Sequence, residues 1–392
     1  NAATKAQLPI VKEKDAALYA NRIKIWLGQS NYIQKQKIDY ASLGKDGFAI
    51  TFPDDRDIII AGATDRGTEF GVYELLERFV GVRWLLPGAV GQHIPQKNHV
   101  SIRQQDLIQS PKFISRSLSG LRGEEQNAWA RYNRMYGQIQ FHHNLLNIFP
   151  ATEYGQSHPE YFPIINGRRY IPSHNKDRNW QPCFSAPGIA EEAIKRISDY
   201  FDKNPQVTSY SLGINDSEAF CQCARCLARV GSKKNFLNFP NYSELYYAWV
   251  NKVAEGVLRK YPDKSFGCLA YNQVAEPPAT FRLHPRIIPF MTYDRMKWVD
   301  PVIEKEGKML TERWAKQAAQ IGWYDYIYGT PYLVPRVYFH KMAEYYKYAH
   351  QHGVRAIYSE AYPNWGEGPK LYLALRLQWN PYMNIDMLLQ DW

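Results

Sequence analysis

From about residue 110 onward, short apolar segments alternate with longer amphipathic segments, and this alternation constrains the fold more than any other feature of the 392-residue chain. The short segments are apolar on both faces, as are the strands of a parallel sheet that helices cover on both sides. Strands are predicted at 113–118, 144–149, 162–165, 208–214, 265–271, 287–292, 321–326 and 355–359. Helices are predicted at 188–201, 242–260, 302–320 and 337–353. Eight such strands with intervening helices are the content of one α/β (β/α)₈ TIM barrel.

The first hundred or so residues predict a separate, smaller α/β domain. The segments 48–52 and 57–62 read as strands, and a helix begins after them with Thr64 or Asp65 as its cap and ends at Gly81. The sequence therefore divides into a small N-terminal domain over 1–108 and the barrel over 109–392. The last nine residues read as a helix that has only begun, so we expect the barrel to be truncated at its C-terminal end and the native chain to continue.

Charge and hydropathy exclude two classes of partner. The formal net charge is +10, but the basic residues are scattered, with no run of five or six like charges and no nucleic-acid motif, so we expect no nucleic-acid partner. No apolar stretch approaches the roughly 20 residues that span a bilayer. The polar start of the chain is typical of a mature end, and we expect an exported protein, periplasmic or at the cell surface, where a lipid anchor is one means of attachment.

Polar and aromatic residues cluster where the predicted strands end, which is the face on which barrel enzymes carry their sites. The 29 tyrosines and 11 tryptophans exceed the 17 phenylalanines, and rings with a polar edge suit sugar ligands. The candidate substrate-binding residues are Arg116, His143, Asn215, Tyr271, Asn272, Tyr293, Asp294, Trp323, Asp325, Tyr326, Glu360 and Trp365. The rings of Trp323, Trp365 and Tyr293 either form the floor of a sugar subsite or belong to the core.

Asp216 and Glu218, after the strand predicted at 208–214, are the candidate catalytic residues. Carboxylates two apart on an extended segment point to the same side, and like charges held close favour protonation of one of them. Glycoside hydrolysis uses an acid to protonate the leaving oxygen and a second group to stabilise the anomeric carbon. A substrate with a 2-acetamido group can supply that second group itself, and an enzyme carboxylate then orients the amide. The alternatives are a solvated loop and calcium ligands.

Three of the five cysteines, Cys221, Cys223 and Cys226, fall within six residues; the others are Cys183 and Cys268. Three thiols so close either ligate a structural zinc ion with a fourth ligand from elsewhere or hold a tight disulfide in an exported protein. Free thiols in a rigid turn are the third interpretation. No His-Glu-x-x-His or similar motif accompanies them, so we predict no catalytic metal and no cofactor.

Several segments resemble known families. The segment 61–73 (AGATDRGTEFGVY), followed by 81–84 (GVRW), is similar to the small domain that precedes the barrel in α-glucuronidases and β-hexosaminidases. The segments 158–162 (HPEYF), 215–218 (NDSE) with the cysteines, 368–373 (GPKLYL) and 379–381 (WNP) resemble the domain of unknown function 4838, the core of glycoside hydrolase family 163. The resemblance covers nearly the whole chain.

The resemblance implies an exported endo-β-N-acetylglucosaminidase of gut Bacteroidetes, which cuts the GlcNAc-β-1,4-GlcNAc core of complex N-glycans by a retaining, substrate-assisted mechanism. Glu218 is then the proton donor and Asp216 positions the acetamide, on an oligosaccharide or glycoprotein glycan as partner. The paired Asp and Glu of hexosaminidases are adjacent, whereas Ser217 intervenes here. Two alternatives stay open: an exo-glycosidase, α-glucuronidase-like or hexosaminidase-like, with Glu360 as second carboxylate, and a non-catalytic glycan-binding protein.

Overall fold

The computed structural model describes residues 2–328, 335–362 and 365–392. By packing, the chain forms two compact units. The first unit comprises Asn1–Ile114, Gly120–Met135 and Pro363–Trp392, and the second comprises Ser115–Ser119 and Tyr136–Tyr362. The division into domains 1–108 and 109–392 stays a prediction, because a packing unit and a domain of the sequence need not share their ends.

The described residues contain strands of two to seven residues. In chain order they are β1 (Lys24–Leu27), β2 (Phe48–Thr51), β3 (Asp57–Gly62), β4 (Arg83–Trp84), β5 (Gln92–His93), β6 (Leu107–Gln109), β7 (Ser115–Leu118), β8 (Ile164–Ile165), β9 (Arg168–Arg169), β10 (Ser209–Ser211), β11 (Ser265–Ala270), β12 (Ile287–Thr292), β13 (Ile321–Tyr326) and β14 (Val354–Glu360).

Helices separate most of these strands. They are α1 (Asn31–Gln34), α2 (Tyr40–Leu43), α3 (Asp65–Leu75), α4 (Gly123–Tyr132), α5 (Leu145–Ile148), α6 (Ala151–Tyr154), α7 (Ile189–Lys203), α8 (Ala224–Val230), α9 (Ser243–Leu258), α10 (Pro301–Gln317), α11 (Phe339–Gln351), α12 (Lys370–Trp379) and α13 (Ile385–Asp391). None of the helices in the described ranges is long and apolar enough to cross a membrane.

The first unit contains a four-stranded mixed sheet in the order β1-β3-β2-β6. The predicted helix after this sheet's third strand is confirmed, with its predicted cap: the hydroxyl of Thr64 accepts a hydrogen bond from the amide of Gly67 at 3.1 Å. A π-helical turn continues α3 to Val80, and Gly81 ends it with φ +89°, a conformation that costs glycine little. The capping and terminating residues were therefore sufficient to predict this helix.

The second unit contains a six-stranded sheet, wholly parallel, in the order β10-β11-β12-β13-β14-β7. Its strands coincide with six of the eight predicted ones, and α7, α9, α10 and α11 lie where the four long helices are predicted. A closed barrel of eight strands is not found in the described residues. The predicted fold class is thus confirmed as α/β with a barrel-like parallel sheet. The predictions that 144–149 and 162–165 are strands of this sheet are wrong.

The segment 144–149, predicted as the second strand, forms the short helix α5 instead. Its run of apolar residues fits a buried strand and a helical turn equally well, since a four-residue run is too short for periodicity to decide. Local hydrogen bonds select the helix, including one from the amide of Phe149 to the carbonyl of Leu145 at 3.0 Å. Pro150 follows at once, so the helix stays short.

The segment 162–165, predicted as the third strand, contributes only β8, which pairs antiparallel with β9 in a separate two-stranded hairpin. The turn between them is Asn166-Gly167, with φ +49° and +76°. Positive φ at both turn residues is the geometry that Asn-Gly favours in two-residue hairpins. This dipeptide was the sequence signal that the barrel interpretation overlooked.

An irregular segment connects the two edges of the six-stranded sheet. At one edge the amide of Arg116 in β7 donates to the carbonyl of Tyr136 at 2.8 Å, and beyond β10 His143 forms a parallel bridge with Gly213. Between these ends, the hydroxyls of Ser115 and Ser209 accept hydrogen bonds from backbone amides of the segment, such as Gln138 at 2.8 Å. Serine side chains thus replace the backbone pairing that two further strands would provide.

Candidate active site

The backbone that carries the two candidate catalytic carboxylates is held from below by buried amides. Asn215 is fully buried, and its side chain accepts from the amide of Leu146 at 2.8 Å and donates to the carbonyl of Trp180 at 2.9 Å. Gln181, also fully buried, donates to the carbonyls of Asn215 and Ser217 at 2.7 and 2.8 Å. Asn215 therefore fixes the loop rather than facing solvent, and it leaves Asp216 and Glu218 exposed above it.

Asp216 lies beside a histidine whose tautomer the fold selects. Nδ1 of His143 is 2.5 Å from the carbonyl oxygen of Ile214, so this nitrogen carries the proton and donates it. Nε2 of the same ring is 3.9 Å from Oδ1 of Asp216. A neutral His143 thus presents a free nitrogen towards the carboxylate, and a charged one presents a second donor to it.

Phenols from the neighbouring strands surround this carboxylate. Burial raises the pKa of Tyr271, and the nearby charge of Asp216 raises it further. Burial also raises the pKa of Tyr326, with contributions from Glu360 and Asp216. These two tyrosines therefore stay neutral donors at neutral pH, close to the carboxylate at the end of β10 and, for Tyr326, to Glu360 at the end of β14 as well.

Glu360 accepts a hydrogen bond from the hydroxyl of Tyr324 at 2.5 Å. Burial, followed by this hydrogen bond, raises the pKa of Tyr324 well above its ordinary value. The ring of Tyr324 lies 4.6 Å from that of Tyr358 between centroids, and Tyr358 lies 5.1 Å from Phe141. These rings line the inner face of the sheet beneath the carboxylates and provide flat surface of the kind that sugar rings contact.

Strand alternation separates the residues predicted on β13. Tyr324 and Tyr326 face the inner side, so Trp323 and Asp325 face the outer side. Both are completely buried there, with the guanidinium of Arg295 3.9 Å from the centre of the Trp323 ring and the amide of Arg295 donating to Asp325 at 3.1 Å. Burial raises the pKa of Asp325 and lowers that of Arg295 to about 10. The structure therefore does not bring Trp323 and Asp325 together with Asp216.

Two further predicted residues, on the loop after β12, have partners away from the carboxylates. The hydroxyl of Tyr293 donates to the carbonyl of Ile303 in α10 at 3.3 Å. Asp294 accepts from the amide of Met296 at 3.2 Å and is paired with Arg336 at 2.5 Å. Asp294 therefore has an ion-pair partner in this structure.

The remaining predicted residues are dispersed. Arg116 is fully buried and stands opposite Ile357 in the strand register, so it lies on the other face of the sheet from Tyr358. Asn272 begins a 3-10 turn after β11 with φ +47°, and its carbonyl accepts from Asn235 at 2.6 Å. Trp365 belongs to the first unit, where its ring packs edge-on against Trp129 at 5.3 Å.

The structure adds residues that are not among the candidate site residues. Gln181, Tyr324 and Tyr358 contact the loop or the floor of the site, as described above. Gln273 donates to the carbonyl of Glu218 at 2.9 Å and holds the far end of the same loop. Counting every second residue back from the end of β13 and β14 would have selected the two tyrosines. The glutamines carry no such signal, because their partners are backbone carbonyls distant in sequence.

The cysteine cluster gains a fourth member. The Sγ atoms of Cys183, Cys221, Cys223 and Cys226 all lie within 4.8 Å of one another. Cys268 lies elsewhere, buried in β11. All five are free thiols in this structure, which does not contain the disulfide that was one of the three interpretations of the cluster.

A family model described as "Domain of unknown function (DUF4838)" matches residues 86–392. The chain belongs to this DUF4838 family. The family resemblance expected from the sequence is thereby confirmed, while membership of glycoside hydrolase family 163 stays a prediction. A search of curated proteins finds no significant match to this DUF4838 chain.

Solved structures with a similar fold include glycoside hydrolases. A family GH115 4-O-methyl-α-glucuronidase with specificity for decorated arabinogalactans has a TM-score of 0.52 at 15% identity, over 94% of this chain and 53% of that one. A family 89 glycoside hydrolase from Clostridium perfringens has a TM-score of 0.47 at 10% identity, over 96% and 49% of the two chains. A GH20 β-N-acetylhexosaminidase from Streptomyces coelicolor A3(2) has a TM-score of 0.43 at 12% identity, over 93% and 81%. The DUF4838 chain thus spans about half the length of the first two, and the first likeness establishes the fold alone.

Proposed function

We propose that this DUF4838 protein is a glycoside hydrolase, and specifically an endo-β-N-acetylglucosaminidase that cleaves the GlcNAc-β-1,4-GlcNAc core of complex N-glycans. The observation that carries the proposal is the exposed pair Asp216 and Glu218 on the loop after the parallel strand β10, close to the half-buried tyrosines Tyr271 and Tyr326. The carboxyl end of such strands is where barrel folds carry their chemistry. The glycoside hydrolase fold of the GH115 neighbour supports the reaction class by analogy.

In the proposed mechanism Glu218 protonates the glycosidic oxygen as the bond to the anomeric carbon breaks. The substrate's own acetamide oxygen attacks that carbon from the other face and forms a cyclic oxazolinium intermediate, while Asp216 orients the amide and stabilises its developing charge. Glu218, now a carboxylate, removes a proton from water, which opens the ring with net retention of configuration.

The surroundings of Asp216 support the orienting role. A carboxylate that orients an amide must itself be held, and Tyr271 is a nearby neutral donor to it, while Nε2 of His143 lies 3.9 Å from its Oδ1. Gln181 donates to the carbonyl of Ser217, and the amide of Ser217 donates to the carbonyl of Asn215 at 2.8 Å. The segment therefore turns at Asp216 and is not extended as the sequence predicted. In the proposed mechanism the two acids act on one substrate from this turn, although they are not adjacent in sequence.

The experiment that tests the proposal is mass spectrometry of glycans released from a complex-type glycoprotein. The expected product lacks one GlcNAc, which stays on the protein. Asp216→Asn should slow release strongly, whereas Asp202→Asn, which alters an exposed carboxylate on α7 paired with Lys260, should release glycan at the wild-type rate. Release of intact glycan, or no release from any glycoprotein, would contradict the proposed cleavage.

One observation favours a second candidate, an exo-glycosidase that uses two enzyme carboxylates. The charges of Glu360 and Asp216 both raise the pKa of Tyr326, so a carboxylate at the end of β14 and one on the loop after β10 lie near the same phenol. If Glu360 were a nucleophile, Glu360→Gln would reduce kcat for an aryl glycoside to nearly zero. In the leading proposal Glu360 binds sugar hydroxyls, and the same variant raises KM with little change in kcat.

The proposed partner is accordingly an oligosaccharide or glycoprotein glycan, and the protein is proposed to act on it outside the cell or in the periplasm. The proposed location follows from the substrate, because complex N-glycans are carried on secreted and cell-surface proteins.

A further inference from the structure

Four thiols from two distant parts of the second unit converge on one point. Sγ of Cys183 lies 3.7 Å from Sγ of Cys223 and 3.8 Å from Sγ of Cys226, and all four sulfurs lie within 4.8 Å. A disulfide needs about 2.0 Å between sulfurs, so these spacings are contacts rather than bonds. The cluster is therefore a set of four free thiols around a common centre.

The spacing matches a tetrahedral metal site. Thiolates bind zinc at about 2.3 Å, and four ligands at that distance on a tetrahedron stand about 3.8 Å apart. The two measured separations from Cys183 agree with this value. Four sulfur ligands also select zinc, or a single iron ion, over the hard cations that prefer oxygen.

The backbone holds each thiol in place without a metal. The amide of Cys183 donates to the carbonyl of Tyr161 at 2.8 Å, and the amide of Ile164 donates to Sγ of Cys221 at 3.3 Å. Cys223 is the N-terminal cap of α8 and Cys226 lies in its first turn. Cys183, Cys221 and Cys226 are buried, while Cys223 is partly exposed and leaves a path for an ion.

We propose that Cys183, Cys221, Cys223 and Cys226 bind one zinc ion in a closed, structural tetrathiolate site. Four protein ligands complete the coordination of zinc and leave no position for water or substrate, which distinguishes the site from a catalytic one. Cys221 follows Glu218 by three residues, so the ion ties the loop of the candidate acids to the segment around Cys183. Zinc here stabilises the loop and takes no part in bond cleavage.

The first test is the metal content of the full chain, purified under reducing conditions from zinc-supplemented medium. Inductively coupled plasma mass spectrometry is expected to find one zinc per chain, and replacement by cobalt should give the thiolate charge-transfer and d–d bands of a tetrahedral site. A protein without metal, or one lighter by two hydrogens for each disulfide, would overturn the proposal. One iron in place of zinc would overturn the choice of metal.

Variants locate the ion. The double variant Cys183→Ser with Cys223→Ser should lose zinc, while Cys268→Ala, which removes the buried thiol outside the cluster, should keep one equivalent. Far-UV circular dichroism reports whether each variant folds. If the double variant does not fold, removal of zinc from the wild type by a chelator should lower its Tm, and an unchanged Tm with zinc fully removed would contradict a structural role. Metal content is measured without a glycan, so its outcome is independent of the proposed glycosidase activity.

Discussion

Nε2 of His143 faces Oδ1 of Asp216 at 3.9 Å, while Nδ1 of the same ring is bound to the carbonyl of Ile214. The carbonyl belongs to the residue that precedes Asn215, so one stretch of backbone both orients the imidazole and carries the carboxylate that it faces. Any movement of this stretch moves the two groups together. The relationship makes His143 a positioning residue for Asp216 in the proposed mechanism.

Replacing His143 by alanine should reduce kcat/KM for glycan release by roughly tenfold, equivalent to about 1.4 kcal/mol of barrier. The reason is that Asp216 loses the imidazole that lies 3.9 Å from its Oδ1 and that moves with the same stretch of backbone. His143→Gln, which retains a donor, should recover part of the loss. Separate values of kcat and KM distinguish this role from packing, since kcat should fall in His143→Ala while KM changes little.

The matched control for that variant is His158→Ala, because His158 is exposed and paired with Glu160. It should retain wild-type kcat/KM. A wild-type kcat in His143→Ala would contradict the positioning role.

Replacing Gln181 by alanine should destabilise the protein by about 2–4 kcal/mol. The change leaves the amide of Asn215 and the carbonyl of Ser217 without these partners, at about 1–3 kcal/mol for each unsatisfied group that water does not reach, while the carbonyl of Asn215 keeps the amide of Ser217. Urea denaturation measures the free energy of unfolding. Gln222→Ala, which removes an exposed amide bonded to Asn166, should cost less than about 1 kcal/mol, and equal costs for the two would refute the explanation.

Buried charges in the first unit predict acid sensitivity. Burial alone would raise the pKa of Glu77, but the charges of Arg134 and Arg376 outweigh it and lower the pKa. A carboxyl whose pKa is lower when folded contributes stability above its unfolded pKa, near 4.3, and this contribution is lost as pH falls through the folded value. Wild-type stability should therefore decrease below about pH 4.3.

Glu77→Gln should lower the free energy of unfolding by about 3–5 kcal/mol at neutral pH, since it leaves two buried guanidinium groups without this charge. The variant should also lose part of the acid dependence. The control is Glu191→Gln, whose exposed pair with Lys252 should contribute less than about 1 kcal/mol. Urea denaturation at pH 7 and pH 4 measures the free energy of unfolding. Similar losses of this free energy in the two variants would contradict a stabilising role for the buried ion pairs of Glu77 with Arg134 and Arg376.

Gly267 in β11 is predicted not to tolerate alanine. A Cβ at this position would lie 2.3 Å from the carbonyl oxygen of Gln140, on the segment that crosses between the edge strands. Gly267→Ala should therefore cost about 1–3 kcal/mol by overpacking, as measured by thermal or urea unfolding. In Gly137→Ala the new Cβ would have Cβ of Ser117 as its nearest neighbour, at 3.3 Å, so this variant should lose less stability. A larger loss in Gly137→Ala than in Gly267→Ala would contradict the close approach of the Gln140 carbonyl to Gly267.

The parts of the fold that the sequence predicted are those with strong local signals. Thr64, one of the two caps predicted for α3, is the cap in the structure, and the strands at 287–292 and 321–326 match β12 and β13 residue for residue. The strand predicted at 144–149 failed because its short apolar run contains no turn or period that distinguishes strand from helix. The Asn166-Gly167 turn was readable and overlooked.

The strand-end rule selected some residues that the structure brings close to Asp216 and others that it does not. The strand-end rule reached Asp216, Tyr271, Tyr326 and Glu360, but it also selected Trp323 and Asp325, which alternation turns to the outer face of β13. The partners that hold the loop, Gln181 above all, depend on contacts between residues more than thirty positions apart. Such contacts follow from the packed fold and leave no pattern in the local sequence.

The most direct test of the central claim is the rate of glycan release by Glu218→Gln, measured by mass spectrometry on a complex-type glycoprotein alongside the wild type. General acid catalysis contributes about 10²–10⁴-fold, so we expect the variant to be at least about a hundredfold slower while it still binds the glycan. A Glu218→Gln variant that releases glycan at the wild-type rate would contradict the assignment of Glu218 as the proton donor.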